Sequence, residues 1–362
     1  MRHVARWGYL LVLGLAVPGS LRAAALPLPV GIAEPGGSTG FFASASGGIE
    51  AIDLATGKLL WETNEAQRPL LVVGNHLLAQ AGLKRNRLRI LRLDLARNGE
   101  CDLESDPVVF PAWVVTGEAP GHSFSARWHL EKHQLVMDWE AAAWYAGKTK
   151  PTPEEESAAR KHANGVALID LRTGQVEVRP AVKVVSSPPP PLPEYLEEKA
   201  VRWQGIVGKH WKVLALEEEE GMQRLVWHAW DRETHKAEPP KELLRGKRLL
   251  VRETLDEHIL CLREATPSPD ERATLTPSKA QRWWWLYSVD LDKGIGRIPV
   301  EPGMHSLAVV GKRAFYLVPG TLRGRLDRPN MQPRTLKAID LESGKKLWER
   351  SVAAKLLAPP PL

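Results

Sequence analysis

Apolar residues recur along this chain in short runs that alternate on both sides of a strand. In Ile49-Glu50-Ala51-Ile52-Asp53-Leu54, Ile49 and Ala51 share one face while Ile52 and Leu54 share the other. Leu336-Lys337-Ala338-Ile339-Asp340-Leu341 repeats the arrangement near the opposite end, with Leu336 and Ala338 opposing Ile339 and Leu341. A strand apolar on both faces is packed between two layers. Each run then meets an Asp, whose carboxylate accepts backbone N–H groups two residues on and closes a turn. Gly57 or Gly344 supplies the positive φ that the reversal needs. Lys58-Leu59-Leu60-Trp61 and Lys345-Lys346-Leu347-Trp348 restart a strand whose Trp can cover a neighbour.

Weaker echoes fill the interval. Val166-Ala167-Leu168-Ile169-Asp170-Leu171-Arg172-Thr173-Gly174 is close, and Leu286-Tyr287-Ser288-Val289-Asp290-Leu291-Asp292-Lys293-Gly294 is looser. Ile90-Leu91-Arg92-Leu93-Asp94 keeps its Gly at Gly99, whereas Val226-Trp227-His228-Ala229-Trp230-Asp231 loses it. The Asp positions 53, 94, 170, 231, 290 and 340 are spaced by 41 to 76 residues. That interval holds a four-stranded unit plus an insertion, and repetition at such a period marks a repeat architecture. The expectation is an all-β chain: a single β-propeller of six four-stranded antiparallel blades, or seven or eight if a copy is hidden.

The shared motif, Ala-x-Asp-x-x-Thr-Gly-Lys-x-x-Trp, resembles the PQQ-like (quinoprotein-type) β-propeller repeat. The first and last copies match it most fully, and the resemblance covers the chain from about residue 38 onward apart from insertions. It implies the fold. Quinoprotein dehydrogenases hold their cofactor with an adjacent Cys-Cys disulfide, a Trp and a calcium site. The resemblance carries none of these over, because the chain has two separated Cys and no matching ordered set. The expectation is the non-catalytic branch, with no cofactor.

Each Asp turn is expected between the third and fourth strands of a unit, which places the remaining material. Residues 147–163, 217–221, 265–281 and 319–333 precede third strands, and residues 187–199, with Pro188 to Pro191, join the third unit to the fourth. Such loops emerge on one side of a propeller, opposite the tight turns, and loops on a rigid scaffold are where binding resides. The first unit offers only three strands, so Ser351-Val352-Ala353-Ala354-Lys355-Leu356-Leu357 is expected to complete it, pairing the two ends of the chain and removing two exposed edges.

Residues 1–25 read as an export signal: Arg2 and Arg6 precede an apolar run, and Ala23-Ala24-Ala25 offers a cleavage site. Residues 26–37 are expected as a linker and 38–362 as the propeller, exported to the periplasm or outside the cell. The net charge of +6 falls to +3 without Arg2, Arg6 and Arg22, and basic residues cluster only at Lys84-Arg85-Asn86-Arg87, which reads as a hairpin tip. This balance does not indicate nucleic-acid binding. Cys101 and Cys261 fall in units far apart in a six-membered ring and are expected as free thiols.

Candidate chemistry is sparse. His129 and His133 stand four apart, but on a strand that spacing separates them by about 13 Å, too far to share a metal. Asp256-Glu257-His258 sits at another turn. Trp283-Trp284-Trp285 fits a strand buried on both sides, or an aromatic platform for a sugar or peptide. No catalytic, cofactor-binding or metal-binding residue is assigned. The expected function is a monomeric protein-interaction or scaffold module using one loop-rich face. The alternative is an enzyme, either a divergent quinoprotein or a glycan-processing propeller.

Overall fold

The computed structural model describes residues 26–44, 47–84, 86–116, 119–144, 152–180, 193–197, 199–234, 236–256, 258–264, 283–319 and 334–352. The export signal expected at 1–25 and the insertions 265–281 and 320–333 lie outside these residues.

The apolar runs become strands of six antiparallel sheets that follow one another along the chain. The first contains Leu26–Leu28, Gly31–Ala33, Thr39–Ala43, Ile49–Asp53 and Leu59–Thr63. In the second, Arg68–Val73, His76–Lys84, Arg87–Asp94 and Glu100–Glu104 pair in order, and Val108–Val109 adds to the third of them. The other sheets have four strands each. His122–Glu131, Gln134–Ala143, Lys161–Asp170 and Val176–Pro180 make the third. The fourth is Ala200–Val207, His210–Glu219, Met222–Asp231 and Lys241–Gly246. The fifth is Leu249–Glu253, Ile259–Glu264, Trp283–Ser288 and Lys293–Pro299, and the sixth His305–Val310, Arg313–Pro319, Arg334–Asp340 and Lys346–Val352.

In the last five sheets the Asp falls where the third strand turns into the fourth, and in the five-stranded first sheet Asp53 falls between the fourth and the fifth. Asp53 accepts from the N–H groups of Ala55 (3.0 Å) and Thr56 (2.7 Å), and Gly57 follows at φ +72°. Asp340 accepts from Ser343 N–H at 2.7 Å ahead of Gly344 at φ +69°. The Thr56 and Ser343 hydroxyls, donating to the same carboxylates, and then these N–H groups favour the ionised form and hold both groups below the ordinary Asp range. Asp231 makes the turn without a glycine, accepting from Glu233 and Thr234 N–H at 2.9 Å each. The fifth turn changes its chemistry: Ser288 Oγ accepts from Leu291 N–H at 3.2 Å, and Asp290 instead faces His258 Nδ1 at 2.9 Å.

Both-sided burial is what joins the sheets. Ile49 and Ala51 lie in a core with Leu77 and Leu93 of the second sheet, whereas Ile52 and Leu54 lie in a core with Phe315 and Ala338 of the sixth. Further cores join the second sheet to the third, the fourth to the fifth and the fifth to the sixth. Among the described residues no core joins the third sheet to the fourth. The cores therefore string the sheets in the order four, five, six, one, two, three.

Three expectations are corrected. Residues 26–37 are not a linker, because Gly31–Ala33 pairs with Thr39–Ala43 and Leu26–Leu28 adds beyond it. Those strands occupy the edge reserved for the C-terminal tail, and among the described residues the tail pairs only within the sixth sheet. Ser351 and Val352 continue the sixth sheet against Thr335 and Arg334, and residues 353–357 lie outside the described residues. Third, residues 217–221 form no excursion, since Glu219 pairs directly with Met222 across a tight hairpin at Glu220 and Gly221.

Candidate functional site

The fourth sheet has two unlike faces, produced by strict alternation along its strands. Leu214, Leu225 and Trp227 face the fifth sheet in a shared apolar core. The opposite set, Trp211, Val213, Ala215 and Glu217, pairs with Trp230, His228, Val226 and Arg224. No neighbouring sheet shares a core with this face among the described residues. The segment arriving from the third sheet covers part of it: the short helix Glu194–Glu197 buries Leu196 against Trp211, Val213 and Ala215.

The surface is aromatic. Trp211 and Trp230 have ring centroids 5.1 Å apart, His228 stacks on Trp230 at 6.2 Å, and Tyr195 lies 5.8 Å from His228 and 6.3 Å from Trp230. Tyr195 is 52% exposed, so this cluster reaches solvent through a phenol. Aromatic groups with an apolar body and a polar tip are the residues that anchor interfaces.

Beside it sits the most heavily contacted carboxylate of the sheet. Glu217 meets Lys199 Nζ at 2.5 Å, Arg224 Nη2 at 3.0 Å and His228 Nε2 at 3.1 Å. Burial alone would raise its pKa, but Lys199 and His228 outweigh burial and leave it below the ordinary Glu range. Burial dominates at His228 and pushes its pKa down. At neutral pH the pair is carboxylate and neutral imidazole, with two cations fixing the carboxylate. His228 is only 5% exposed beneath Tyr195, so the pair orients the surface and presents no open proton acceptor.

The third sheet offers no apolar counterpart. Its second face carries His129 between Glu131 (3.1 Å) and Asp138 (3.6 Å), and His162 against Glu140 (2.8 Å), all with well exposed side chains. This is where the sequence-level His129–His133 pair resides. His129 is held on a strand by carboxylates, and His133 lies in the adjoining hairpin, as the strand reading required. No group of three metal-ligating side chains occurs among the described residues.

The other singled-out residues are dispersed. His258 meets Asp290, while Glu257 and Arg85 lie outside the described residues. Cys101 and Cys261 are free and sit in different sheets, with burial pushing the Cys261 thiol up to about 12. Trp284 is buried under Arg263, 4.7 Å from its ring, and Trp283 lies beneath Arg297 at 4.5 Å. Trp285 does not fit a strand buried on both sides, because it stands in solvent.

The sequence gave no signal for Tyr195 or Glu217 as site residues. The available clue was Trp227-His228-Ala229-Trp230, a copy with aromatics on both faces and no turn glycine.

No family model matches the chain, and no curated protein matches it. Three solved structures are similar at low identity. The β-propeller domain of the Trilobed protease from Pyrococcus furiosus is 11% identical over 63% of this chain, with a TM-score of 0.25. The chain spans 57% of that domain's length. The Kluyveromyces lactis Hsv2 protein with loop 6CD replaced by a Gly-Ser linker is 10% identical, covers 87% of this chain and 93% of its own, and gives 0.31. The β-propeller domain of Cps50 (Swd1) from Myceliophteria thermophila is 13% identical, covers 93% and 98%, and gives 0.27.

Proposed function

We propose that this chain is an exported, non-catalytic β-propeller of PQQ-like repeats that works as a protein-interaction or scaffold module. Its docking surface is the exposed side of the segment arriving from the third sheet, at Tyr195, with Trp230 of the fourth sheet beside it. The observation that carries this reading is the contrast among sheet-to-sheet joints. Five pairs of sheets share an apolar core, whereas the fourth sheet's other face carries Tyr195, Trp230 and their charged surround and shares no core with another sheet among the described residues. Interfaces concentrate aromatic residues and Arg at their centres with a polar rim. Lys199 and Arg224 around Glu217 provide such a rim.

The test is capture of partners from an envelope extract of the source cell with the purified mature chain. The same capture uses a Tyr195→Ser, Ile206→Ser double variant, Ile206 being an exposed residue paired with Trp211, and a deletion of residues 187–193. Both variants should keep the circular dichroism and melting temperature of the parent and lose the captured band. Unchanged capture by both would remove the loop-side surface from the proposal. Export is tested separately, by N-terminal sequencing of the protein recovered outside the cytoplasm, expected to begin near residue 26.

A further inference from the structure

Trp285 is 53% exposed on an inner strand of the fifth sheet, between Ile259–Glu264 and Lys293–Pro299. A tryptophan costs much to leave in water, and its two strand neighbours Trp284 and Leu286 are buried. The outer strand beside it explains the access. Leu286 and Tyr287 pair with Gly296 and Gly294, so that strand places few side chains against the indole. A Cβ built on Gly294 would meet only Leu286 O, at 3.9 Å, an ordinary contact, so nothing crowds this position.

A depression lies on each side of the ring. One of about 380 Å³ runs toward the fourth sheet, lined by Trp285, Leu262 and Leu244, with Lys241, Glu242 and Asp292 among its polar groups. The other, of about 470 Å³, runs toward the sixth sheet, where Arg297, Lys312 and Glu342 accompany Trp285. Both fall within the size of small-ligand sites. Asp292 is fixed in place, accepting from the Tyr287 hydroxyl and meeting Lys241 Nζ at 3.1 Å.

We propose that Trp285 is the stacking platform of a binding site for a neutral, linear oligosaccharide that crosses the ring from one depression into the other. A pyranose presents a flat C–H face, which suits the electron-rich indole face. Its equatorial hydroxyls then need donors and acceptors in the plane around the ring. Lys241, Lys293, Arg297 and Lys312 alternate here with Glu242, Asp292 and Glu342. That near balance of charge disfavours a polyanion, since every phosphate or sulfate placed near a cation also meets a carboxylate. An apolar peptide anchor would require a pit, and here the aromatic group stands outward with shallow depressions on both sides. The site includes neither Tyr195 nor Glu217 of the fourth-sheet surface, although Glu242 lies 3.8 Å from Arg224.

Calorimetric titration of the purified chain with hexasaccharides of β-1,4-glucose, α-1,4-glucose and β-1,4-N-acetylglucosamine tests the proposal. At least one should bind. Trp285→Ala should weaken that binding tenfold or more, Trp285→Phe should recover most of it, and Leu291→Ala, also exposed nearby, should leave it intact. Tyr195→Ser should not change it. Melting temperatures identify any variant that fails to fold, and the Phe variant then carries the comparison. The proposal is overturned if none of the three sugars binds, if Trp285→Ala binds as the parent does, or if the Trp285-dependent ligand proves to be an apolar or proline-rich peptide.

Discussion

The sixth and first sheets carry copies of the same motif and share a core, whereas the third and fourth, consecutive in the chain, share none among the described residues. At the former, Trp348 lies on the turn of the first copy. Its Nε1 donates to Leu54 O at 3.1 Å, and a Cβ on Gly57 would come within 2.6 Å of its ring. Arg350 adds bonds to Glu50 (2.7 Å) and Gly57 O (3.2 Å). The same Trp-on-glycine contact joins Trp61 to Gly99, and Trp283 reaches Gly344 in like manner. At the third–fourth joint both halves of the device are missing. Val178 stands where the motif has Trp and is 46% exposed, and the fourth copy carries His235 where the others have Gly. At three joints the turn glycine thus serves two purposes, a positive φ and a flat seat for the preceding unit's Trp, while the second–third and fourth–fifth joints pack without a seated Trp.

Removing the seated ring should separate the two joints most sharply. Trp348→Ala is expected to cost about 3–5 kcal/mol in guanidinium unfolding, whereas Val178→Ala should stay within about 0.5 kcal/mol. Equal effects would erase the distinction. Gly57→Ala tests the seat, because the added methyl meets the Trp348 ring in a backbone of φ +72°. A loss of about 1–3 kcal/mol is expected from strain of that kind.

Acid should act on the open joint before the packed one. The folded-state pKa of His228 is depressed, so its contribution is fully present above the unfolded value of about 6.5 and lost as pH falls below it. Asp53 and Asp340 are depressed likewise, so the turns of the packed joint lose support only as pH falls below about 3.9. NMR signals of Tyr195 and Trp230 are expected to shift between pH 6.5 and 5 with Trp348 unmoved. A His228→Gln variant should abolish that early step. The smallest effect concerns thiols: at pH 8 a disulfide reagent should label the half-buried Cys101 and leave Cys261, buried in the fifth–sixth core, unmodified.

The Asp-to-Gly segments were legible because their chemistry is local. A carboxylate two residues from the N–H groups it accepts needs no tertiary partner, and this holds at Asp53, Asp170, Asp231 and Asp340. Strand faces were legible for the same reason, since alternation alone divides Ile49 and Ala51 from Ile52 and Leu54. Tyr195 and Glu217 were not legible as surface features, and for Trp285 burial and an exposed platform both stood open. Their exposure depends on what the neighbouring sheet supplies, and nothing within a strand reports that.

By itself, then, the sequence determined the unit: strand, Asp turn, strand, six times, with apolar groups on both faces. Only the tertiary structure decided how the units meet. It gave the first sheet its inner strand from residues 31–33 in place of the tail, left the third and fourth sheets without a common core, and left Trp285 in solvent beside a glycine-bearing strand. The physical reason is range. Turn bonds and face alternation are fixed within a few residues, whereas burial is settled only when surfaces distant in the chain compete for the same apolar area.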